Sequence, residues 1–334
     1  MYPNINGYVY YIFYTLDLQK LSRTIYTKLM FSEYMSDFLE YLEVEKGRSL
    51  KTIENYSLYL NRFVEFSDDI NVSKINAQTI SKWRQWLNRY TGDDGRTMGK
   101  ATQNYHLIAM RSFLKYLARR DVESLAPEKI ELATSKRPQV SFLTQEEVIR
   151  LFEAINTDNV IGLRDRAIVE LLFSTGLRVS ELAALNIKDL NFKTGEFSVR
   201  GKGQKDRPVY VSESAANVLA QYIEARQDDY APLFVHYRGT QSDFNGGEYT
   251  RLTVRSIQRI VERYAKKAGI AKHVTPHTLR HSFATDLLTN GADLRSVQSL
   301  LGHTNIATTQ VYTHVTDPQL HKAHLKYHSG NKAN

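Results

Sequence analysis

The chain has 334 residues, and because a domain typically contains roughly 150 residues, two domains are predicted. Hydrophobic residues make up 42% and charged residues 24%, an ordinary globular composition that excludes wholesale disorder and a fibre, and the absence of cysteine excludes disulfides and fits a cytoplasmic protein. The formal net charge of +8 favours a polyanionic partner, either nucleic acid or anionic lipid.

The first 29 residues are predicted to contribute nothing to function. Residues 8–16 are aromatic and apolar, but a membrane span needs about 20 such residues, and no basic residue precedes them as in a signal peptide. No other run could cross a bilayer, so we expect no membrane partner. Met30 directly precedes the first strong amphipathic pattern, so residues 1–29 are interpreted as an extension, and the start is left open between Met1 and Met30.

Residues 30–120 are predicted to form a compact unit of four helices. Apolar residues recur there at three-and-four spacing, and Ser49 and Asn76 are placed to cap the second and third helices. The first helix has a predicted buried face with Phe31, Phe38 and Leu42, and the other three helices carry Ile53, Leu60 and Phe63; Ile80, Trp83 and Leu87; and Ile108, Phe113 and Leu117. Residues 121–141 lose this periodicity and include two prolines, which predicts an extended basic linker between two domains.

Residues 142–330 are predicted to form a mainly helical second domain with a small antiparallel sheet. Thr144 and Glu147 form a capping box at its start, and Gly176 is predicted to end a helix in the left-handed conformation. The β signal is the alternation around Phe197 and Val199, followed after a polar turn by Val209 and Val211. Helices resume at Ser212, with one long loop at about 236–249.

Four segments of the second domain carry polar groups that core packing does not require. The first is TGLRVSEL with Arg178, where Ser180 is expected to cap a short helix, and the second is the turn GKGQKDR with Lys202. The third is TPHTLRH, in which His277 and Arg280 lie on one helical face. The fourth is LLGH with His303, which is followed nine residues later by Tyr312. This set contains no carboxylate pair and no metal cluster, so we expect no cofactor and no metal.

These residue types suit the cleavage of a phosphodiester by a side-chain nucleophile without a metal. Arginines can grip the non-bridging oxygens through two parallel hydrogen bonds and stabilise the transition state. A tyrosine with a pKa near 10 is only about one part in a thousand ionised at pH 7, so it needs a proton acceptor and a positive field. The leaving 5′-hydroxyl needs a general acid, for which Lys202 is the best candidate.

The motifs resemble those of the tyrosine recombinase (phage-integrase) family in residue type, order and approximate spacing. The likeness covers about residues 31–330, and residues 313–328 are similar to the tail of the Xer subgroup, which resolves chromosome dimers. The family implies a C-clamp around double-stranded DNA, made by a helical core-binding domain and an α+β catalytic domain. It also implies a tetrameric synapse joined by donated C-terminal helices, for which the residues beyond Tyr312 are the matching candidate.

The resemblance implies a site-specific recombinase in which Tyr312 forms a 3′-phosphotyrosyl intermediate. Arg178, Arg280 and His303 would stabilise the transition state, His277 would act in proton transfer and Lys202 would be the general acid. The expected DNA phosphate contacts are Arg48, Lys51, Lys100, Arg111, Lys205 and Arg207. Whether a second related recombinase or a DNA translocase acts as a partner is left open. The amino-acid sequence does not reveal the target DNA sequence.

Each residue taken alone has a plainer interpretation. Arg178 could satisfy carbonyls at a helix junction, and Lys202 could be a solvated turn residue. His277 and His281 have the spacing of a zinc pair but lack a third ligand. The conjunction of six positions favours one site over these alternatives. A mobile-element integrase is the closest alternative. A non-catalytic DNA-binding protein and a type IB topoisomerase are the other two.

Overall fold

The structure, a computed structural model, describes residues 30–92, 95–133, 141–190, 196–200, 206–237 and 244–302. The chain divides into two compact units, residues 1–137 and residues 138–334. Among the described residues, no helix combines the length and the apolar character that a bilayer span requires. The predicted extension at residues 1–29 lies outside the described residues.

The first unit contains the four predicted helices. They are α1 (Phe31–Val44), α2 (Leu50–Ser67), α3 (Ala77–Arg89) and α4 (Lys100–Ala118). Asn76 caps α3 as predicted, because its side chain accepts a hydrogen bond from the Thr79 N–H. The core between the helices is aromatic, with the ring of Phe31 4.7 Å from that of Phe63 and 4.5 Å from that of Phe113. Aromatic side chains supply much of the buried apolar area in so small a core.

The first part of the predicted linker belongs to the first unit. Leu125 and Ile130 are buried in the same core as the four helices, on either side of a short 3₁₀ helix at Pro127–Lys129. The Asn104 side chain of α4 donates to the Ala133 carbonyl (2.8 Å) and accepts from the Ala133 N–H (3.0 Å). Residues 121–133 therefore pack on α4 as part of the first unit, which corrects the prediction that an extended linker begins at residue 121.

The second unit is mainly helical with one small sheet, as predicted. Its elements are α5 (Gln145–Glu153), α6 (Val160–Thr175), α7 (Val179–Ala184), β1 (Glu196–Arg200), β2 (Asp206–Tyr210), α8 (Glu213–Glu224), α9 (Val254–Lys267), α10 (Pro276–Thr289) and α11 (Leu294–Leu301). A short 3₁₀ helix lies at Ile187–Asp189, and the segment Phe244–Thr250 is kinked by left-handed backbone at Asn245, Gly246 and Gly247. The capping box at Thr144 and Glu147 is present at the start of α5.

Helix α6 is the centre of the second unit. It packs against α8 and α10, and most of its residues are buried around its whole circumference. A helix that is covered on all sides has no polar stripe. Gly176 ends α6 with φ +61°, as predicted. A Cβ atom at Gly176 would lie only 2.4 Å from a ring carbon of Phe283 on α10, so this glycine is required for the close approach of the two helices as well as for the turn.

The two strands form an antiparallel pair whose register places an arginine on the buried face. Phe197 pairs with Val209 and Val199 pairs with Arg207. Along β2 the residues alternate between exposed and buried, so Arg207 faces the same way as Val209. The turn that joins the strands, with Lys202, lies outside the described residues.

Candidate active site

Arg178 lies at the junction between α6 and α7. It occupies the N-cap position of α7, and its own N–H donates to Oε2 of Glu181 (2.8 Å). The prediction that Ser180 caps this helix is wrong, because the helix begins at Val179 and Ser180 is its second residue. The Arg178 Nη1 donates to Glu181 Oε1 (2.8 Å) and its Nη2 donates to the Gly302 carbonyl (3.2 Å). The side chain is 35% exposed, so this arginine is accessible at the surface.

Arg280 reaches the same place from α10. Thr275 caps this helix and Pro276 occupies its first position, as predicted, so Arg280 lies just over one turn along. Its Nη1 donates to the Gly176 carbonyl (2.5 Å) and its Nη2 donates to the Leu301 carbonyl (2.6 Å). The residue is 2% exposed. Arg280 therefore ties the end of α6 to the end of α11.

Three arginines meet at the C-terminal end of α11. The carbonyls of Leu300, Leu301 and Gly302 accept hydrogen bonds from Arg207, Arg280 and Arg178 respectively, one arginine to each carbonyl. The last carbonyls of a helix have no partner within the helix and carry partial negative charge, so this is a favourable position for cations. His303 follows Gly302 directly in the chain and lies outside the described residues.

Glu181 is the buried acid of this cluster, and the sequence analysis missed its role. Its carboxylate is bound by Arg178 and, through two nitrogens, by Arg207, at 2.9 Å (Nη1) and 2.7 Å (Nη2). Burial acts to raise its pKa, but the hydrogen bonds and charges of Arg207 and Arg178 outweigh burial and lower the pKa of Glu181 from its ordinary value of 4.5 to about 2. The carboxylate is ionised at every physiological pH.

Arg207 is not placed to contact a DNA phosphate, which corrects the prediction for this residue. Its side chain is only 9% exposed, both of its η nitrogens bind the Glu181 carboxylate and its Nε binds the Leu300 carbonyl. The carboxylate offsets the charge of Arg207, whereas the η nitrogens of the buried Arg280 are bound by neutral carbonyls. The sequence did contain a signal for this, because Arg207 is two residues from Val209 and thus shares the core-facing side of the strand.

His277 lies in the first turn of α10 and is exposed, with its ring packed at 77° against that of His281 at a centroid distance of 4.6 Å. Desolvation on its inner side and the charges of Arg280 and Arg178 lower the pKa of His277 below its ordinary value of 6.5. The ring is therefore neutral at neutral pH, and a neutral imidazole can accept a proton. The arrangement provides two converging cations with a neutral base beside them.

Comparison with known proteins identifies this arrangement. The sequence matches the phage integrase family over residues 141–319 and the N-terminal SAM-like domain of phage integrases over residues 35–121. It is 36% identical over 309 residues to tyrosine recombinase XerC of Thermodesulfovibrio yellowstonii, covering 90% of this chain and 97% of that protein. It is 38% identical over 306 residues to tyrosine recombinase XerD of Oceanobacillus iheyensis, covering 88% and 97%.

The chain belongs to the phage integrase family. It is a tyrosine recombinase, an enzyme that cleaves and rejoins DNA. Its fold is shared with the XerH recombinase in a post-cleavage complex with difH DNA, at a TM-score of 0.67 and 24% identity, covering 87% of this chain and 84% of that one. A lambda integrase dimer bound to a COC′ core site has a TM-score of 0.65 at 18% identity, covering 84% and 97%.

Three of the six candidate catalytic residues of this recombinase lie within the described residues. Arg178, His277 and Arg280 are brought together there, although Arg178 lies at the start of α7 and the other two lie on α10, about 100 residues later in the sequence. The other three, Lys202, His303 and Tyr312, lie outside the described residues, as does Lys205, so their roles stay predictions.

The candidate DNA contacts of the first unit also stay predictions. Arg48, Lys51 and Lys100 are exposed and Arg111 is half-buried. Lys51 forms an ion pair with Glu54 at 2.8 Å, in which both side chains are largely exposed. Such surface pairs are weak, so Lys51 is able to exchange this carboxylate for a phosphate.

Proposed function

We propose that this tyrosine recombinase is a Xer-type enzyme that resolves chromosome dimers by recombining double-stranded DNA at a specific site. The observation that carries the assignment of its active site is the convergence of Arg178 and Arg280 on the last carbonyls of α11, one residue before His303, with the neutral ring of His277 beside them. The Xer-type role is supported by the identity of 36% to 38% to proteins named XerC and XerD.

The proposed reaction begins with attack of the Tyr312 hydroxyl oxygen on the scissile phosphorus. His277 accepts the phenolic proton, which its lowered pKa permits at neutral pH. The bond from phosphorus to the 5′ oxygen breaks, Lys202 gives that oxygen a proton, and the 3′ end stays linked to Tyr312 through phosphate. A 5′-hydroxyl from the partner duplex then attacks the phosphotyrosine and releases Tyr312. One ester replaces another at each step, so no ATP is consumed.

Arg178, Arg280 and His303 are proposed to hold the non-bridging oxygens while phosphorus is five-coordinate. Each such donor contributes roughly 3 kcal/mol to transition-state stabilisation in comparable sites. Arg178 and Arg280 donate to consecutive carbonyls, which places their guanidinium groups close enough to share one phosphate. Their charges are fixed before DNA arrives, which is the condition for electrostatic catalysis.

A synapse of four protomers is proposed, made of this chain alone or with a second related recombinase. The proposal is supported by a structural relative, a lambda integrase tetramer bound to a Holliday junction, which shares the fold at a TM-score of 0.64. The first unit would supply phosphate contacts through Arg48, Lys51, Lys100 and Arg111.

A covalent trapping experiment tests the nucleophile. The full chain is incubated with a library of nicked duplexes with randomised arms, in which the cut fragment diffuses away and leaves the protein attached to DNA. We expect an adduct with the wild-type chain and with Tyr210→Phe, an exposed tyrosine of β2 that serves as the matched control. We expect none with Tyr312→Phe. An adduct that survives in Tyr312→Phe would place the nucleophile elsewhere.

A further inference from the structure

We propose that Arg207 of β2 is a positioning residue for DNA cleavage, an inference that rests on the proposed function. Arg207 binds Glu181 and the end of α11. By binding Glu181 it determines how much positive charge Arg178 presents to the phosphate, and by binding α11 it fixes the position of the helix end that precedes His303.

The geometry of Arg207 makes it a bridge between three elements. From the buried face of β2, its two η nitrogens bind the two carboxylate oxygens of Glu181 on α7. Its Nε donates to the Leu300 carbonyl of α11 at 3.2 Å. A planar fork with donors in fixed directions can satisfy a carboxylate and a carbonyl together, whereas the point charge of a lysine cannot.

Arg207 affects catalysis first through the net charge of the group formed by Arg178, Glu181 and Arg207. Oε1 of Glu181 accepts from the side chains of both Arg178 and Arg207, so one carboxylate is shared by two cations. The trio carries a net charge of about +1, and that excess lies at Arg178, whose side chain is 35% exposed against 9% for Arg207. Without Arg207, Glu181 and Arg178 form a neutral pair, and the field that stabilises a phosphorane at this position is lost.

Arg207 affects catalysis secondly by positioning the C-terminal end of α11. Gly302 terminates this helix with φ +63°, and a Cβ atom at that position would lie 2.9 Å from Cδ of Arg207. The Arg207 side chain therefore fills the space beside Gly302 and also binds the carbonyl two residues earlier. Because His303 is one peptide beyond Gly302, a shift of this helix end moves the start of the segment that carries His303 and Tyr312.

The test separates positioning from DNA binding. In Arg207→Gln we expect the single-turnover rate of covalent adduct formation at saturating nicked DNA to fall by about 100-fold, the loss typical of one electrostatic group in a preorganised site. The DNA dissociation constant and its salt dependence should change far less than this rate, because the other phosphate contacts supply most of the affinity. Arg207→Lys, which keeps the charge, should still be slowed by about tenfold because it cannot hold Glu181 and Leu300 together. Guanidinium ion added to Arg207→Ala should restore part of the rate.

Arg226→Gln is the matched control. Arg226 and Arg207 are both 8% exposed as whole residues, and Arg226 binds Asp228 and the carbonyls of Pro232 and Leu233, which are far from α11 in the sequence. Its loss should lower stability without changing the cleavage rate per folded molecule. Equal slowing in the two glutamine variants would overturn the proposal and make Arg207 purely structural.

Two further outcomes would also overturn it. Weaker DNA binding in Arg207→Gln, with the logarithmic salt slope reduced by about one and the cleavage rate unchanged, would make Arg207 a phosphate contact. A wild-type cleavage rate in Arg207→Lys would show that bridging to Leu300 is not needed, and this variant decides the question if Arg207→Gln does not fold. A wild-type chain that forms no adduct would instead refute the proposed function.

Discussion

Replacement of Glu181 by glutamine should destabilise the second unit in a manner that depends on pH. The pKa of Glu181 lies at about 2 in the folded chain against an ordinary value of 4.5, and this difference corresponds to about 3 kcal/mol of stability at neutral pH. The sign follows from proton binding. Between about pH 2 and 4.5 the unfolded chain binds the proton more tightly, so the stabilisation is complete above 4.5 and is lost as the pH falls toward 2.

The chain allows the two units to be followed separately during urea unfolding. Both tryptophans, Trp83 and Trp86, lie in the first unit, so their fluorescence reports on that unit alone. Far-UV circular dichroism reports on both units. In Glu181→Gln we expect the fluorescence transition to be unchanged and the transition seen only by circular dichroism to lose about 3 kcal/mol at pH 7.

The pH series supplies the decisive comparison. The difference between wild type and Glu181→Gln should narrow by about 1.4 kcal/mol for each pH unit below about 4.5. Glu248→Gln is the control, because Glu248 pairs with Arg251 in the same unit but is 48% exposed, and it should show a much smaller difference. The reasoning is refuted if the loss in Glu181→Gln is the same at neutral and acid pH, or if the tryptophan transition moves.

Two other perturbations test the site and the fold that supports it. If His277 accepts the proton, the single-turnover cleavage rate should stay level as the pH falls to about 6.5 and decline only below it, because the pKa of His277 is lowered. If the same decline persists in His277→Gln, another group accepts the proton. Gly176→Ala should destabilise the second unit by about 2–4 kcal/mol from its left-handed φ and the overlap with Phe283. Gly269→Ala is the control, because Gly269 has φ +67° and an added Cβ atom would have no neighbour within 4 Å, so only the backbone contribution to the loss of stability is expected. Equal losses of unfolding free energy in the two variants, measured with urea, would show that the overlap with Phe283 contributes nothing.

Local signals in the sequence predicted the elements that hold the site. The end of α6 at Gly176 and the start of α10 at Thr275 and Pro276 follow from residues within one turn of each position. The strand pair follows from the alternation of the apolar Phe197 and Val199 with the polar Ser198 and Arg200. Such features depend on neighbours in the chain, and a single sequence displays them directly.

The contacts that define the site depend on distant neighbours, and there the sequence was insufficient. The importance of Glu181 arises from Arg207, which is 26 residues away on another element. Ser180 was a plausible cap by residue type, but the helix begins one residue earlier, at Val179, where Glu181 pairs with the Arg178 amide. Leu125 and Ile130 lack a helical period because they cover α4 from an irregular segment. In each case the partner becomes visible only after folding.

The burial of Arg280 bears on how the site binds a phosphate. An arginine side chain that is ordered on binding loses up to about 2 kcal/mol of rotamer entropy. Arg280 is 2% exposed and is held by carbonyls from the ends of α6 and α11, so this entropy is lost when the chain folds and does not oppose DNA binding. Arg178 is similarly held by Glu181 and Gly302. A shift of the end of α11 would therefore disturb both arginines at once, because their anchors are consecutive carbonyls of the same helix end.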